Sequence, residues 1–367
     1  MNYWSLARRW PAMCRSSSLK QFVRQESTGN DYRVIETVGT ERQFDFEPQK
    51  AETLMQKLGL LYLADRNAGN LGVVGGKNSY ALVADLVRLE RALIRWTIRQ
   101  LVRVYGFEPV VVPQLLYSDI MTACGFSPDG QRSQVYRMVG DDRVCLIGTA
   151  EQPLAAFNIG ETLSMEDLPK KYCSMSRCYR AESKHTKENW GLYRVHYFNK
   201  VEMFAITDRT LSDQMLNQFV DIQKSLFLEL GLHFRLVDMP DHELGVSANK
   251  KFDIEAYMPG RDVWGEISSA SNCTDYQSQR LNIKYRTVVA NEETDQIYDD
   301  MFVHTVNGTA CAVPRMLITI CEQYQTREGS VVIPDVLIPF MNGQTVIDKR
   351  QTMFAITDQP NTGQVVL

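Results

Sequence analysis

The chain has 367 residues, 44% apolar, 23% charged and 10% aromatic, which suits a globular protein with one large domain and appendages, or two domains. No window approaches about 18 uninterrupted apolar residues, so no segment reads as a membrane span. The formal charge of −4 gives no sign of nucleic-acid binding, which would need a local basic patch working against the overall field.

Residues 1–25 differ from the rest. They hold Arg8, Arg9, Arg15, Lys20 and Arg24, no acidic residue, three serines (Ser16 to Ser18) and bulky apolar residues from Trp4 to Phe22. An Arg- and Ser-rich, acid-free amphipathic start reads as a mitochondrial transit peptide, the plainer alternative being a disordered basic tail. Five positive charges leave with it and none negative, so −4 becomes −9 and the remaining body is acidic. The eight cysteines are dispersed, none in a C-x-x-C pair, and read as reduced, buried small hydrophobes rather than disulfides or a zinc site.

Residues 26–50 are polar and unpatterned and read as a linker; 51–65 suit a short helix, with Leu54, Leu58, Leu61 and Leu63 near helical spacing. A Gly/Asn-rich turn follows. Ser79 then stands where an N-cap belongs, before apolar residues from Leu82 to Leu101 at three- and four-residue steps, stopped by Gly106. That pattern predicts a helix of about seven turns, with Arg88, Arg91, Arg95 and Arg99 on its other faces. Pro109 and Pro113 bracket a β-branched run, as at the ends of a short or edge strand.

"KYCSMSRCYRAE" (171–182) and "LYRVHYFNKVEMFAI" (192–206) approximate period-two alternation around a polar loop, giving strand–loop–strand. A helix is expected at 210–230, ended by Gly231. Strands are expected at "HFRLVDM", "KFDIEAYM", "VWGEISSAS" and "VHTVNGTACAV", and Pro314 then opens a last helix at its favoured first position. Hairpin-joined strands with helices before, between and after predict an α+β fold, an antiparallel sheet flanked by helices. Neither a G-x-G-x-x-G nor a Walker A loop is present.

Five stretches in this order resemble class II aminoacyl-tRNA synthetases, and seryl-tRNA synthetase in particular: "GTAEQPLAAF" (148–157), "YRAE" (179–182), "GLYRVHYFNKVEMF" (191–204), "GEISSASNCTDYQSQRL" (265–281) and "NGTACAVPRMLI" (307–318). The helix–strand–proline unit, the "CYRAE" pair and the strand–helix junction resemble motifs 1, 2 and 3 of that class. The resemblance spans 79–340, about seven-tenths of the chain, and "LYRVHYF" leans towards the animal mitochondrial branch. It implies ATP-dependent activation of L-serine to seryl-adenylate and transfer to tRNA(Ser) in the mitochondrial matrix, with ATP and Mg²⁺, by a dimer with no membrane association. The implied division is a transit peptide at 1–25, a linker and remnant N-terminal region at 26–78, a catalytic domain at 79–345 and a C-terminal tail at 346–367.

By this resemblance Arg180 and Arg315 are catalytic. A carboxylate must approach the α-phosphate of ATP, both negative, so cations are needed at the reacting centre. Arg180 is expected to bridge the two with its planar fork, and Arg315, just inside a helix start, to meet the γ-phosphate. Glu182, two residues along the same strand as Arg180, is expected at the adenine amino group, with Ala181, Val195, Ile267 and Ser268 completing the ATP site. Glu266 and Ser269 offer hard oxygens for Mg²⁺. Thr149, Ala150, Glu151, Glu202, Asn307 and Thr309, with Arg180, are implied to hold serine; a site that hydrogen-bonds a hydroxyl rejects the analogue lacking it by about 10⁴ or more.

Three departures stand out. Trp190 occupies a position where the family usually has Arg or Lys that helps hold the triphosphate and the acceptor end of tRNA. Losing one charged hydrogen bond costs about 1.5–3 kcal/mol, roughly 10- to 150-fold in rate, unless Lys184 or Lys187 compensates. Gln279 replaces a usual Arg and is expected to loosen packing near the nucleotide. The family's long N-terminal helical arm is largely missing, since no sustained heptads precede Ser79. Two readings follow: an active serine–tRNA ligase, or a non-catalytic paralogue that binds tRNA or a partner synthetase, as a homodimer or a heterodimer.

Overall fold

β-Branched and aromatic residues in alternating runs form the strands of the main sheet in the computed structural model, which describes residues 32–64, 71–129, 133–182, 190–289 and 297–349. In chain order these strands are β1 (Arg33–Val38), β2 (Glu108–Pro109), β3 (Lys170–Tyr179), β4 (Tyr197–Thr207), β5 (Phe234–Asp238), β6 (Lys250–Met258), β7 (Val263–Thr274) and β8 (His304–Ala312). They lie side by side as β1-β5-β6-β7-β8-β4-β3-β2. Every neighbouring pair is antiparallel except β2, which runs parallel to β3. The expected α+β fold is therefore present. β4, held between β3 and β8, is buried from Lys200 to Thr207, whereas the edge strand β1 is mostly exposed.

Four helices complete the core: α1 (Ala51–Lys57), α2 (Asp85–Arg103), α3 (Ser212–Glu229) and α4 (Val313–Gln323). Their apolar faces and the sheet share one cluster of buried side chains. α3 lies so close to β8 that a Cβ on Gly308 would stand 3.0 Å from the Phe219 ring. From the same helix Gln223 donates to the carbonyls of Ser269 and Thr309 at 2.8 and 2.9 Å. A larger residue there would press on the Phe219 ring, so glycine suits the close packing behind the strands that carry the site. All seven described cysteines are buried. Among the described residues no helix is long and apolar enough to cross a membrane.

The structure corrects several expectations. Residues 33–38, read as linker, form β1, which pairs with β5. The helix expected over 51–65 ends at Lys57, and Leu61–Leu63 instead pairs with Tyr80–Leu82. That hairpin displaces the start of α2. Ser79 caps no helix; its hydroxyl donates to the Gly75 carbonyl, and α2 begins at Asp85 and runs 19 residues, about five turns. Part of the Gly/Asn-rich turn is itself helical, at Leu71–Gly75. The proline-bracketed strand shrinks to Glu108–Pro109, with a separate strand at Leu115–Tyr117. The segment 1–25, Cys14, Lys184 and Lys187 lie outside the described residues.

Candidate active site

Residues of β4, β6, β7 and β8, with the chain just beyond the end of β3, surround a cavity of about 500 Å³. Of the expected residues, Thr149, Glu151, Arg180, Glu182, Val195, Glu202, Glu266, Ile267, Ser268, Ser269, Asn307, Thr309 and Arg315 all line it. Ala150 and Ala181 are not among the lining residues. Ala150 is fully buried ahead of the short helix Glu151–Ala155, and the Ala181 amide donates to the Gln134 carbonyl at 2.9 Å.

At one end lies a small, buried polar pocket. A register shift between Val201 and Glu202 sets Glu202 opposite Thr309 on β8. Thr149 Oγ1 donates to Glu202 Oε2 at 3.1 Å, and Lys200 Nζ forms an ion pair with the same oxygen and reaches Thr309 Oγ1 at 3.4 Å. Lys200 was not anticipated. The signal was two charges at i, i+2 in an otherwise apolar strand, where both must share a face. Glu151 Oε1 accepts from Gln277 Nε2 at 2.8 Å, and Gln277 Oε1 accepts from Thr305 at 2.8 Å, so a further unanticipated residue orients the carboxylate. Burial, then the neighbouring Glu202 carboxylate, push the Glu151 carboxyl up to about 7. Burial also raises Glu202, against the opposing pull of Lys200.

At the other end the cations gather. Arg180 lies just beyond the end of β3, its Nε donating to the Gly148 carbonyl at 3.3 Å and its guanidinium 5.2 Å from the Phe198 ring centre. Glu182 is not on the same strand as Arg180. The chain leaves the sheet after Tyr179, Glu182 takes a left-handed φ of 43°, and its Oε2 accepts from Arg194 Nη1 at 2.8 Å. The carboxylate still faces the cavity, set there by Arg194 rather than by strand periodicity.

Arg315 follows Pro314 in the first turn of α4, as expected. Its Nη1 donates to the Glu266 carbonyl at 2.9 Å and approaches the Glu266 carboxylate at 3.3 Å. Burial works to raise the Glu266 carboxyl, but Arg315, Lys251 and Arg180 outweigh it and hold it down at about 2. Lys251, also unanticipated, lines the cavity and donates to Asp253 Oδ2 at 2.8 Å. The result is an anionic oxygen beside several cations, an arrangement for polyphosphate with a hard metal.

Of the three departures in sequence, the two substitutions lie in described residues, and neither side chain lines the cavity. Gln279 is bonded to Asp275 at 2.7 Å within the short helix Tyr276–Leu281 and does not line the cavity. Trp190 does not line it either. Its indole stacks on Tyr193 at 4.5 Å between ring centres, with the Arg261 guanidinium 3.6 Å from the indole centre.

An antiparallel sheet carrying a carboxylate pocket at one end and an arginine pair at the other defines the class II aminoacyl-tRNA synthetase core. Residues 136–324 match the family model described as "tRNA synthetase class II core domain (G, H, P, S and T)". The chain is 42% identical over 313 residues to the mitochondrial serine–tRNA ligase of Bos taurus, covering 84% of this chain and 58% of that protein. It is 39% identical to the serine–tRNA ligase of Treponema denticola, covering 85% of this chain and 71% of the relative. Among solved structures it is similar to seryl-tRNA synthetase from Pyrococcus horikoshii complexed with ATP, with TM-score 0.80, 29% identity, and coverage of 95% of this chain and 79% of that one. The cytoplasmic serine–tRNA ligase of Naegleria fowleri in complex with AMP gives TM-score 0.77 at 32% identity, covering 89% of this chain and 67% of that one. The chain belongs to the seryl-tRNA synthetase family, and it spans 58% of the length of the mammalian mitochondrial relatives it matches.

Proposed function

We propose that the chain is a serine–tRNA ligase that activates L-serine with ATP and transfers it to tRNA(Ser) inside mitochondria. The observation that carries this reading is the joining, in one cavity, of the Thr149–Glu202–Lys200 pocket with the Arg180 and Arg315 cations. Glu151 and Glu202 supply negative charge for an ammonium group, and the Thr149 and Thr309 hydroxyls supply partners for a serine hydroxyl. Arg180, among the cations, is near enough to act on Glu151, Glu202 and Glu266 alike, so it faces the pocket from the triphosphate end. There it neutralises the serine carboxylate and the α-phosphate as one carboxylate oxygen bonds to phosphorus and pyrophosphate leaves with the electron pair. In the second step the terminal tRNA hydroxyl attacks the carbonyl carbon and loses its proton, and AMP departs with the electron pair of the broken acyl–phosphate bond.

The donor set fits Mg²⁺: the Glu266 carboxylate is held anionic on the cavity wall with the Ser269 hydroxyl nearby, so these two residues would hold it. Bound there, the ion would neutralise phosphate charge. With thirteen expected residues lining one cavity, catalysis is favoured over a purely binding role. The mitochondrial assignment rests on the mitochondrial relatives and the Arg- and Ser-rich start. A two-fold dimer built on the 79–113 segment is proposed from the motif-1 resemblance, supported by exposed apolar residues within it, Val104 and Val111.

The test is calorimetric titration with a non-hydrolysable seryl-adenylate analogue. The wild-type chain is expected to bind it, with Glu202→Gln weakening it roughly 10- to 150-fold through loss of a charged hydrogen bond. An alanyl-adenylate analogue binding equally well would overturn the serine assignment.

A further inference from the structure

The position of Trp190, where a phosphate-binding cation was expected, has its own logic. Arg261 lies 3.6 Å from the indole centre and the Tyr193 ring 4.5 Å from it, at an interplanar angle of 21°. Two groups this close cannot share a face, so the indole is sandwiched. Tyr193 in turn meets Arg315, whose guanidinium lies 4.4 Å from its ring centre. The four side chains form one column: Arg261, Trp190, Tyr193, Arg315.

Both ends of the column are tied. Arg261 donates to the buried Glu52 carboxylate at 2.8 Å, on helix α1. The chain at Gly191, with φ 43°, lies against that same carboxylate, since a Cβ there would stand 2.1 Å from Glu52 Oε1. At the far end Arg315 donates to the Glu266 carbonyl at 2.9 Å and to the Tyr193 carbonyl at 3.4 Å. The faces of both rings attract cations, and two rings keep the guanidiniums apart, so the order cation–ring–ring–cation is self-consistent.

We propose that Trp190 and Arg261 are positioning residues that hold Tyr193, and through it the Arg315 guanidinium, at the ATP end of the cavity. This rests on the reading of Arg315 as an ATP contact. Although the family usually has a cation at this position, Trp190→Arg would set the new charge beside Arg261 and break the column instead of restoring a phosphate contact.

The experiment measures ATP affinity by calorimetry, with Mg²⁺ present, alongside serine and ATP KM in pyrophosphate exchange. Trp190→Leu keeps apolar volume but removes the aromatic faces; it is expected to weaken ATP roughly 3- to 30-fold, the scale of one cation–π contact, with serine KM within about twofold. Trp190→Phe is expected to stay within about threefold of wild type, and Trp190→Arg to weaken ATP at least as much as Trp190→Leu. Arg261→Leu should act in the same direction, and the double variant should lose less than the product of the two single losses. Melting temperatures accompany each variant, so that a folding failure is recognised and the Trp190→Phe and Arg261→Leu arms then decide. Unchanged ATP affinity in Trp190→Leu, tighter ATP in Trp190→Arg, or equal loss of serine and ATP would each overturn the proposal. If wild type binds ATP yet shows no serine-dependent exchange, the ligase reading falls while the affinity comparison still decides this one. If wild type binds no ATP, both fall.

Discussion

Glu151 shows how a functional demand is set against stability. Its carboxyl is buried beside Glu202 and pushed up to about 7, so the folded state favours the acid form while the unfolded chain titrates in the ordinary carboxylate range. Stability from the acid form is present below that range and is lost as pH rises through about 7. Glu151→Gln, which keeps an acceptor for Gln277, should therefore raise unfolding free energy by about 3 kcal/mol at pH 8 and by little at pH 4. Chemical denaturation at both pH values checks this, and an equal effect at the two would contradict it. The same variant should weaken serine binding, because the anion that meets the ammonium is gone. For wild type, serine affinity should likewise fall as pH drops from 8 to 6, and a flat profile would remove Glu151 from that role. Which residues gather here was largely legible in sequence, since Thr149, Glu151, Arg180, Glu202 and Arg315 stand in stretches of recognisable wording. Lys200, Arg194 and Gln277 were not, because each acts by orienting or charging another residue: Arg194 and Gln277 do so across long sequence separations, and the Lys200–Glu202 pair gains its role only beside Thr149 and Thr309.

Elements were legible where periodicity was long and self-contained, as in α3, β3, β4 and α4. They failed where a distant partner overruled local preference. Ser79 is a good N-cap by composition, yet Tyr80–Leu82 is drawn into pairing with Leu61–Leu63. Tyr80 also stacks on Tyr197 at 5.2 Å, and the Tyr197 hydroxyl donates to the Tyr80 carbonyl at 2.8 Å. No window around Ser79 contains those partners. Helix α1, too, is held from afar: Glu322 on α4 accepts from the Ala51 amide at 2.9 Å and the Gly260 amide at 2.8 Å. Glu322→Ala leaves both amides unpaired and should cost about 2–5 kcal/mol, with Glu322→Gln costing roughly half as much. Because α1 carries Glu52, the loss should also weaken ATP binding through Arg261. Denaturation melts and ATP titration of the two variants check this, and a Glu322→Ala protein as stable as wild type would show that the amides find other partners.

At the scale of the whole molecule an eight-stranded sheet, a cavity on one of its sides and supports from residues 51–57 and 313–323 come together. The proposed dimer on the 79–113 segment should give twice the chain mass in light scattering at micromolar concentration. A monomer there would contradict it, and a complex only with another synthetase would revive the paralogue reading.

The proposed reaction of this cavity is the making of seryl-adenylate. Amino-acid-dependent exchange of pyrophosphate into ATP reads that step alone, without tRNA. The wild-type chain should exchange with serine and not with alanine, and Arg180→Ala or Arg315→Ala should abolish exchange while the fold survives. Exchange indifferent to the amino acid, or undiminished in both arginine variants, would contradict the account.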